Sequence, residues 1–256
     1  MQIEMFLKNQ YWCFDKFLSK EICNKIIYMG EHKIASNNLK GISTPAATAG
    51  QHERAEYCVD RPLNELSLSD LRKEGLTKDD FYVRDSEICW LDDKWLYDLI
   101  TPKIFEANKL AGWNWKLDCS ELFQFTKYND TGFYGWHMDG GSDHNAKYKR
   151  YLYGVTDYPC GLNGELPPNY AMSNDYIGKV RKVSVTINIT DGEDYEGGDL
   201  QFDYGRHAEV ETEKCIQARS QGSMIVFPSF LPHCVTPVTK GTRYSLVLWV
   251  LGEPWV

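Results

Sequence analysis

Val183-Ser184-Val185-Thr186-Ile187-Asn188-Ile189 alternates apolar and polar side chains without a break, and this period of two decides how the second half of the chain folds. Successive residues of a strand point to opposite faces, so the valines and isoleucines share one face while Ser184, Thr186 and Asn188 share the other. A barrel wall with two different faces shows this pattern. Working outward, further strands are expected at 121–128, 133–137, 198–202, 214–218, 223–228, 233–238 and 243–251, with the quoted stretch inside a strand at 181–189. Turn chemistry separates them: Asn129-Asp130-Thr131-Gly132, Glu196-Gly197-Gly198, Gln221-Gly222, Pro228 with Pro232, and Lys240-Gly241. Eight strands is the number that a jelly-roll requires.

The first half reads differently, as mostly helical and irregular, which makes the chain α+β. Ser19 can cap a helix reaching about Lys33, with Ile22, Ile26, Ile27 and Gly30 at helical spacing. Residues 37–51 read as an exposed loop and 67–74 as a short helix. From Asp92 or Asp93 a longer helix presents Trp95, Leu96, Leu99, Ile100, Ile104 and Phe105 on one face, with Pro102 bending or restarting it. Such a helix would brace a sheet. With no internal repeat, one domain is expected over 1–256, its helical support at about 1–119 and its jelly-roll core at about 120–252. Residues 140–178, rich in tyrosine, glycine and proline and without period, suggest a substrate lid.

Composition excludes several functions. A net charge of −8 argues against a protein that grips nucleic acid through its phosphates. The densest basic cluster, Lys147, Lys149, Arg150, Lys179, Arg181 and Lys182, reads as a solvated face. The eight cysteines are scattered, with no CxxC spacing, which fits reduced thiols in a cytoplasmic protein. Met1 to Phe17 carries charges and lacks the apolar stretch of a signal peptide, and the run from Tyr244 to Leu251 is too short for a spanning helix, so no membrane role is indicated.

Chemistry concentrates in three places. His137 and Asp139 stand two apart at a strand end, so both side chains point to one side. His233 opens a later strand, placed to return beside them. Two imidazoles and a carboxylate on one face of an octahedron are what a non-haem iron(II) site needs, with the remaining positions open. Arg243, on the strand after His233, would offer a fork to a carboxylate, and Tyr128 could donate its hydroxyl to the same group. His207-Ala208-Glu209 is a rival ligand pair, too close to His233 in sequence for the necessary strands. His32, His52 and His144 read as surface or satisfied histidines.

On His137-x-Asp139, His233, Arg243 and the intervening Glu196-Gly197-Gly198-Asp199-Leu200, the chain resembles the iron(II)- and 2-oxoglutarate-dependent dioxygenases of the prolyl 4-hydroxylase-like branch, from about Trp90 to Trp249. The resemblance implies a double-stranded β-helix with supporting N-terminal helices. It implies iron(II) on His137, Asp139 and His233, and 2-oxoglutarate on Tyr128 and Arg243. Ser184 takes the strand position where a hydroxyl residue often assists 2-oxoglutarate, and Tyr134 and Trp249 line the substrate side. Collagen-type prolyl hydroxylases carry lysine where this chain has Arg243. The implied reaction uses O2, with ascorbate as a possible reductant, gives succinate and carbon dioxide, and hydroxylates an unactivated C–H bond. The expected substrate is a prolyl or other amino-acid residue in a peptide, or a free amino acid. The alternatives are a nucleobase or nucleic-acid oxygenase and a non-catalytic metal-binding jelly-roll module.

Overall fold

A computed structural model describes residues 9–40, 45–49, 82–140, 179–204, 213–253 and 255. Ser19 does cap the first helix, α1 (Lys20–Leu39): its hydroxyl accepts a hydrogen bond from the Ile22 amide at 3.4 Å. The helix runs past the expected end near Lys33 because Ile34 continues the buried stripe of Cys23, Ile26 and Gly30. The second helix, α2 (Lys94–Leu110), keeps Pro102 within its length and buries Leu96, Ile100, Ile104 and Ala107.

Strands make up the rest: β1 (Trp12–Phe14), β2 (Pro45–Ala49), β3 (Tyr82–Leu91), β4 (Cys119–Ser120), β5 (Phe123–Tyr128), β6 (Phe133–His137), β7 (Val180–Asn188), β8 (Tyr195–Gly197), β9 (Leu200–Phe202), β10 (Glu213–Lys214), β11 (Met224–Pro228), β12 (His233–Val235), β13 (Val238–Gly241) and β14 (Arg243–Gly252). Twelve of them form one sheet in the order β1-β11-β7-β14-β5-β3-β6-β12-β9-β10, with β2 added to β3 and β4 to β14, while β13 pairs with β8. The sheet curls until distant strands touch. Phe227 of β11 meets Phe202 of β9 edge-on at 5.1 Å and the His233 ring of β12 at 4.7 Å. This is the jelly-roll, double-stranded β-helix architecture.

Alternation along each strand sorts its residues between two environments. Phe123 and Phe125 of β5, Cys89 and Leu91 of β3, Val185 and Ile187 of β7, and Leu246 and Leu248 of β14 pack with the buried stripes of α1 and α2 into the main core. Gly30 lets α1 lie directly on this face, since a Cβ there would stand 2.5 Å from the Phe125 ring. Tyr244 ties the same contact by donating its hydroxyl to Glu31 at 2.6 Å.

The strand expected at 233–238 is two, β12 in the main sheet and β13 paired with β8, with Pro237 between them. Three further expectations need correction. Residues 214–218 do not form a strand: β10 is two residues long and a 3-10 turn at Ile216–Arg219 follows. The turn lets the Arg219 guanidinium reach the carbonyls of Gly192, at 2.8 Å, and Gly197, at 2.7 Å. Within the expected loop 37–51, β2 pairs antiparallel with β3 through backbone groups that side-chain pattern does not report. The third is β3 itself, a central strand between β5 and β6 in a half expected to be helical and irregular. Arg84, Asp85 and Glu87 interrupt the apolar signal that Cys89 and Leu91 carry. The suggested lid (140–178), the short helix (67–74) and His52, His144 and His207 lie outside the described residues, apart from Gly140. His32 stacks on Tyr28 along α1. Among the described residues no helix is long and apolar enough to cross a membrane.

Candidate metal centre and the cavity behind it

Strands β6 and β12 run antiparallel with His233 directly opposite His137. Asp139 follows the end of β6, where the Gly140 amide donates to the Ser229 carbonyl at 2.8 Å and sets the turn. Asp139 Oδ1 lies 3.5 Å from His137 Nε2 and Oδ2 lies 3.5 Å from His233 Nε2. One ligand atom from each residue falls within 4.8 Å of the others.

Backbone carbonyls decide which ring nitrogens are available. His137 Nδ1 is 2.8 Å from the Gly135 carbonyl and His233 Nδ1 is 2.9 Å from that of Leu231. A carbonyl can only accept, so each Nδ1 carries the proton and each Nε2 lone pair faces Asp139. Burial pushes the His233 imidazole down to about 4, which keeps it neutral near pH 7. Burial alone would raise the Asp139 carboxyl, but the neighbouring imidazoles and Arg181 outweigh it and hold the group ionised. Neutral imidazoles and an ionised carboxylate are the protonation states in which these groups bind a divalent metal. The donor set fits iron(II), and equally other first-row ions.

Ser184, on β7, donates to Asp139 Oδ2 at 2.7 Å and shares a 2.9 Å contact with the Ser229 hydroxyl. It is fully buried. The structure thus puts Ser184 on the carboxylate of the triad.

Behind the triad a cavity opens between the two halves of the curled sheet, lined among others by Tyr128, Tyr134, Thr186, Val235, Arg243 and Trp249. Arg243 and Tyr128 are cross-strand partners on β14 and β5, with the guanidinium carbon 5.3 Å from the Tyr128 ring centre. Arg243 is only 2% exposed, yet its Nε and Nη1 have no hydrogen-bond partner among the described residues. Leaving two buried guanidinium nitrogens without an acceptor is costly unless a ligand supplies one. Room for this side chain comes from the Glu196-Gly197-Gly198 turn. Gly198 has φ +62°, and a Cβ there would stand 2.9 Å from Arg243 Cδ.

Tyr134 stacks on the His137 ring with centroids 3.5 Å apart. Trp249 is buried with no acceptor for its Nε1–H among the described residues, and its ring carries the Arg181 guanidinium at 3.9 Å. Every sequence-predicted site residue therefore lines the cavity or, in the case of Ser184, touches a residue that does.

Residues 123–251 match the 2OG-Fe(II) oxygenase superfamily. The chain belongs to this family. The match covers the jelly-roll strands from β5 to β14 and leaves both helices outside it. Among relatives, a PKHD-type hydroxylase of Alteromonas mediterranea is 29% identical over 126 residues, 49% of this chain and 41% of that protein. PKHD-type hydroxylase YbiX of Escherichia coli is 27% identical over 128 residues, with the same two shares, 49% and 41%. The chain thus spans about two fifths of the length of these relatives. Among solved structures, a Trichoplax adhaerens prolyl hydroxylase bound to a hypoxia inducible factor peptide superposes with a TM-score of 0.52 at 16% identity, covering 94% of this chain and 83% of that one. A Pseudomonas putida prolyl-4-hydroxylase gives 0.51 at 14% identity, covering 96% and 94%. These two likenesses concern the fold.

One cavity residue was not among the expected site residues. Arg84 of β3 is buried and faces the cavity, its guanidinium carbon 4.7 Å from the Tyr134 ring centre. The spacing Arg84, Ser86, Ile88, Trp90 against Asp85, Glu87, Cys89, Leu91 was the available signal, since the apolar parity marks the core face and the other parity faces away.

Proposed function

We propose that this family member is an iron(II)- and 2-oxoglutarate-dependent dioxygenase that hydroxylates an unactivated C–H bond of a prolyl or other amino-acid residue in a peptide, or of a free amino acid. The observation that carries this reading is Arg243. A guanidinium with two nitrogens lacking an acceptor among the described residues, buried in the cavity that the metal-binding triad opens into, is the complement of a dicarboxylate that reaches a metal with its other end. A binding module that takes no dicarboxylate has no need of it.

His137, Asp139 and His233 would hold the iron, and Arg243 with Tyr128 would take the distal carboxylate of 2-oxoglutarate. Bound iron and 2-oxoglutarate supply the oxidising chemistry with O2, releasing succinate and carbon dioxide. The remaining roles belong to the protein. The hydrogen bond from Ser184 orients the Asp139 carboxylate that would bind the metal, so the serine's support of the cosubstrate site is indirect. Tyr134 and Trp249 form the substrate wall, where the Trp249 Nε1–H can donate to a substrate carbonyl or carboxylate. The apolar lining from Leu200, Phe227 and Val247 would exclude water around the reacting C–H bond.

The names of the relatives and the peptide bound to the Trichoplax enzyme support an amino-acid substrate. The net charge of −8 stands against nucleic acid as the substrate. The chain acts as one catalytic unit in the cytoplasm, a placement consistent with free thiols at Cys13, Cys23, Cys89, Cys119, Cys215 and Cys234.

The test is anaerobic addition of iron(II) and 2-oxoglutarate, followed in the visible range. A charge-transfer band is expected, and His137→Ala should remove it. Mass spectrometry after admitting air should then find a gain of one oxygen on a peptide or amino acid. An intact protein that binds metal without this band would be a non-catalytic metal module.

A further inference from the structure

Two arginines, Arg84 and Arg243, line this cavity and a third, Arg181, stacks on its Trp249, and the three are treated differently. Arg181 is forked by Glu121, with Nε to Oε1 at 2.5 Å and Nη2 to Oε2 at 2.6 Å, so its charge is compensated within the protein. Arg243 is matched by the far carboxylate of 2-oxoglutarate in the reading above. Arg84 has neither. It is 7% exposed, and its Nε and Nη2 donate only to the neutral hydroxyls of Ser86, at 2.9 Å, and Thr126, at 3.4 Å. No carboxylate among the described residues pairs with it.

Its position separates it from the cosubstrate end. Arg84 lies on β3, and Arg243 lies on β14, on the other side of β5. Arg84 is the register partner of Tyr134, whose ring contacts the guanidinium at 4.7 Å and the His137 imidazole at 3.5 Å. The cation is thus one aromatic ring away from a metal ligand. A 2-oxoglutarate that spans Arg243 and the triad has used both its ends. The occupied site would hold a divalent ion and two guanidinium groups against one aspartate and a dianion, leaving a single positive charge in a buried space. Burying an unmatched charge is expensive, and a ligand carboxylate removes that cost. Trp249, 5% exposed and facing the same cavity, adds an N–H with no acceptor among the described residues.

We propose that Arg84 forms a second anion site in this cavity, assisted by Trp249 Nε1–H, and that it binds a carboxylate of the primary substrate. The proposal rests on the dioxygenase reading and narrows it. The substrate is an amino acid held by its free carboxylate, a chain terminus, or a residue beside an acidic side chain. A neutral residue inside a chain without such a neighbour does not satisfy the site.

The experiment compares acids with amides in iron(II)- and 2-oxoglutarate-loaded full-length protein, reading succinate above a substrate-free blank. The probes are the common amino acids as free acids and as amides, N-acetyl-proline and its amide, and an amidated Gly-Pro-Glu peptide against its Gln counterpart. These pairs separate the three carboxylate sources. At least one acid should exceed its amide by roughly ten-fold or more, the range of a charged hydrogen bond. Arg84→Gln should erase that preference while keeping the anaerobic charge-transfer band, and Arg84→Lys, which keeps charge but loses the fork, should retain part of it. Acids and amides that behave alike across the panel, all at the blank included, overturn the proposal, as does a preference that survives in Arg84→Gln. A wild-type protein without the band would fail the dioxygenase reading itself. A wild-type protein with the band and no acid preference fails only the assignment of Arg84.

Discussion

The two faces of β5 and β14 make opposite use of the same strands. One face, with Phe123, Phe125, Leu246 and Leu248, packs on the helices and is apolar up to its rim, where Lys127 and Tyr244 meet Glu31 of α1. The other, with Gln124, Tyr128, Arg243, Ser245 and Trp249, lines the cavity and holds, on Arg243 and Trp249, buried polar atoms without partners among the described residues. The contrast teaches where stability and chemistry are kept. The helix face supplies burial, and the cavity face spends part of it on unpaired donors that await ligands.

Substitutions on the two faces should therefore fail in different ways, and the largest difference is expected at the triad. His233→Ala should abolish turnover and the charge-transfer band while the fold survives, shown by an unchanged far-UV spectrum and a melting temperature equal to or above that of the metal-free parent. A collapsed fold would mean that the cavity face is structural too. On the opposite face, Phe125→Ala should cost about 3–5 kcal/mol in denaturant unfolding, the usual range for a buried phenylalanine. Whatever folded fraction remains should bind metal normally.

The pH dependence sharpens the comparison. His233 has an ordinary value of 6.5 and is pushed down to about 4 by burial, so below pH 6.5 the unfolded chain takes up a proton that the folded one refuses. This contribution is fully present above pH 6.5 and is lost as pH falls toward 4. The metal-free protein should lose up to about 3 kcal/mol across that window, and His233→Ala should flatten the slope. Equal slopes in parent and variant would remove His233 as the cause. The smallest effect is expected from Arg243→Met. Metal affinity in the absence of 2-oxoglutarate should be unchanged by titration calorimetry, and the apparent KM for 2-oxoglutarate should rise by roughly ten- to a hundred-fold.

Legibility followed the same division. The alternation around Ser184 and the turn residues were enough to place β5, β6, β7, β11 and β14 within a residue or two of their observed ends, because one apolar face imposes a strict period. The strand β3 escaped because Arg84, Asp85 and Glu87 obscure its parity, and β2 because its pairing is made by backbone groups. Arg84 was hidden with the strand that carries it. Ser184 was legible as a cavity-side hydroxyl, but its 2.7 Å contact with Asp139 depends on β7 crossing beneath the turn that follows β6.

Sequence by itself determined the residue types and their parity: imidazoles and a carboxylate able to share one face, an arginine on the strand after His233, and apolar positions spaced to bury two helices. Only the tertiary structure decided which of these meet. Pairing of His233 opposite His137, burial of Arg243 against Tyr128, and the approach of Arg84 to Tyr134 all follow from curling of the sheet. Such contacts join residues far apart in the chain, and the local period that orients a side chain carries no information about which distant strand will face it.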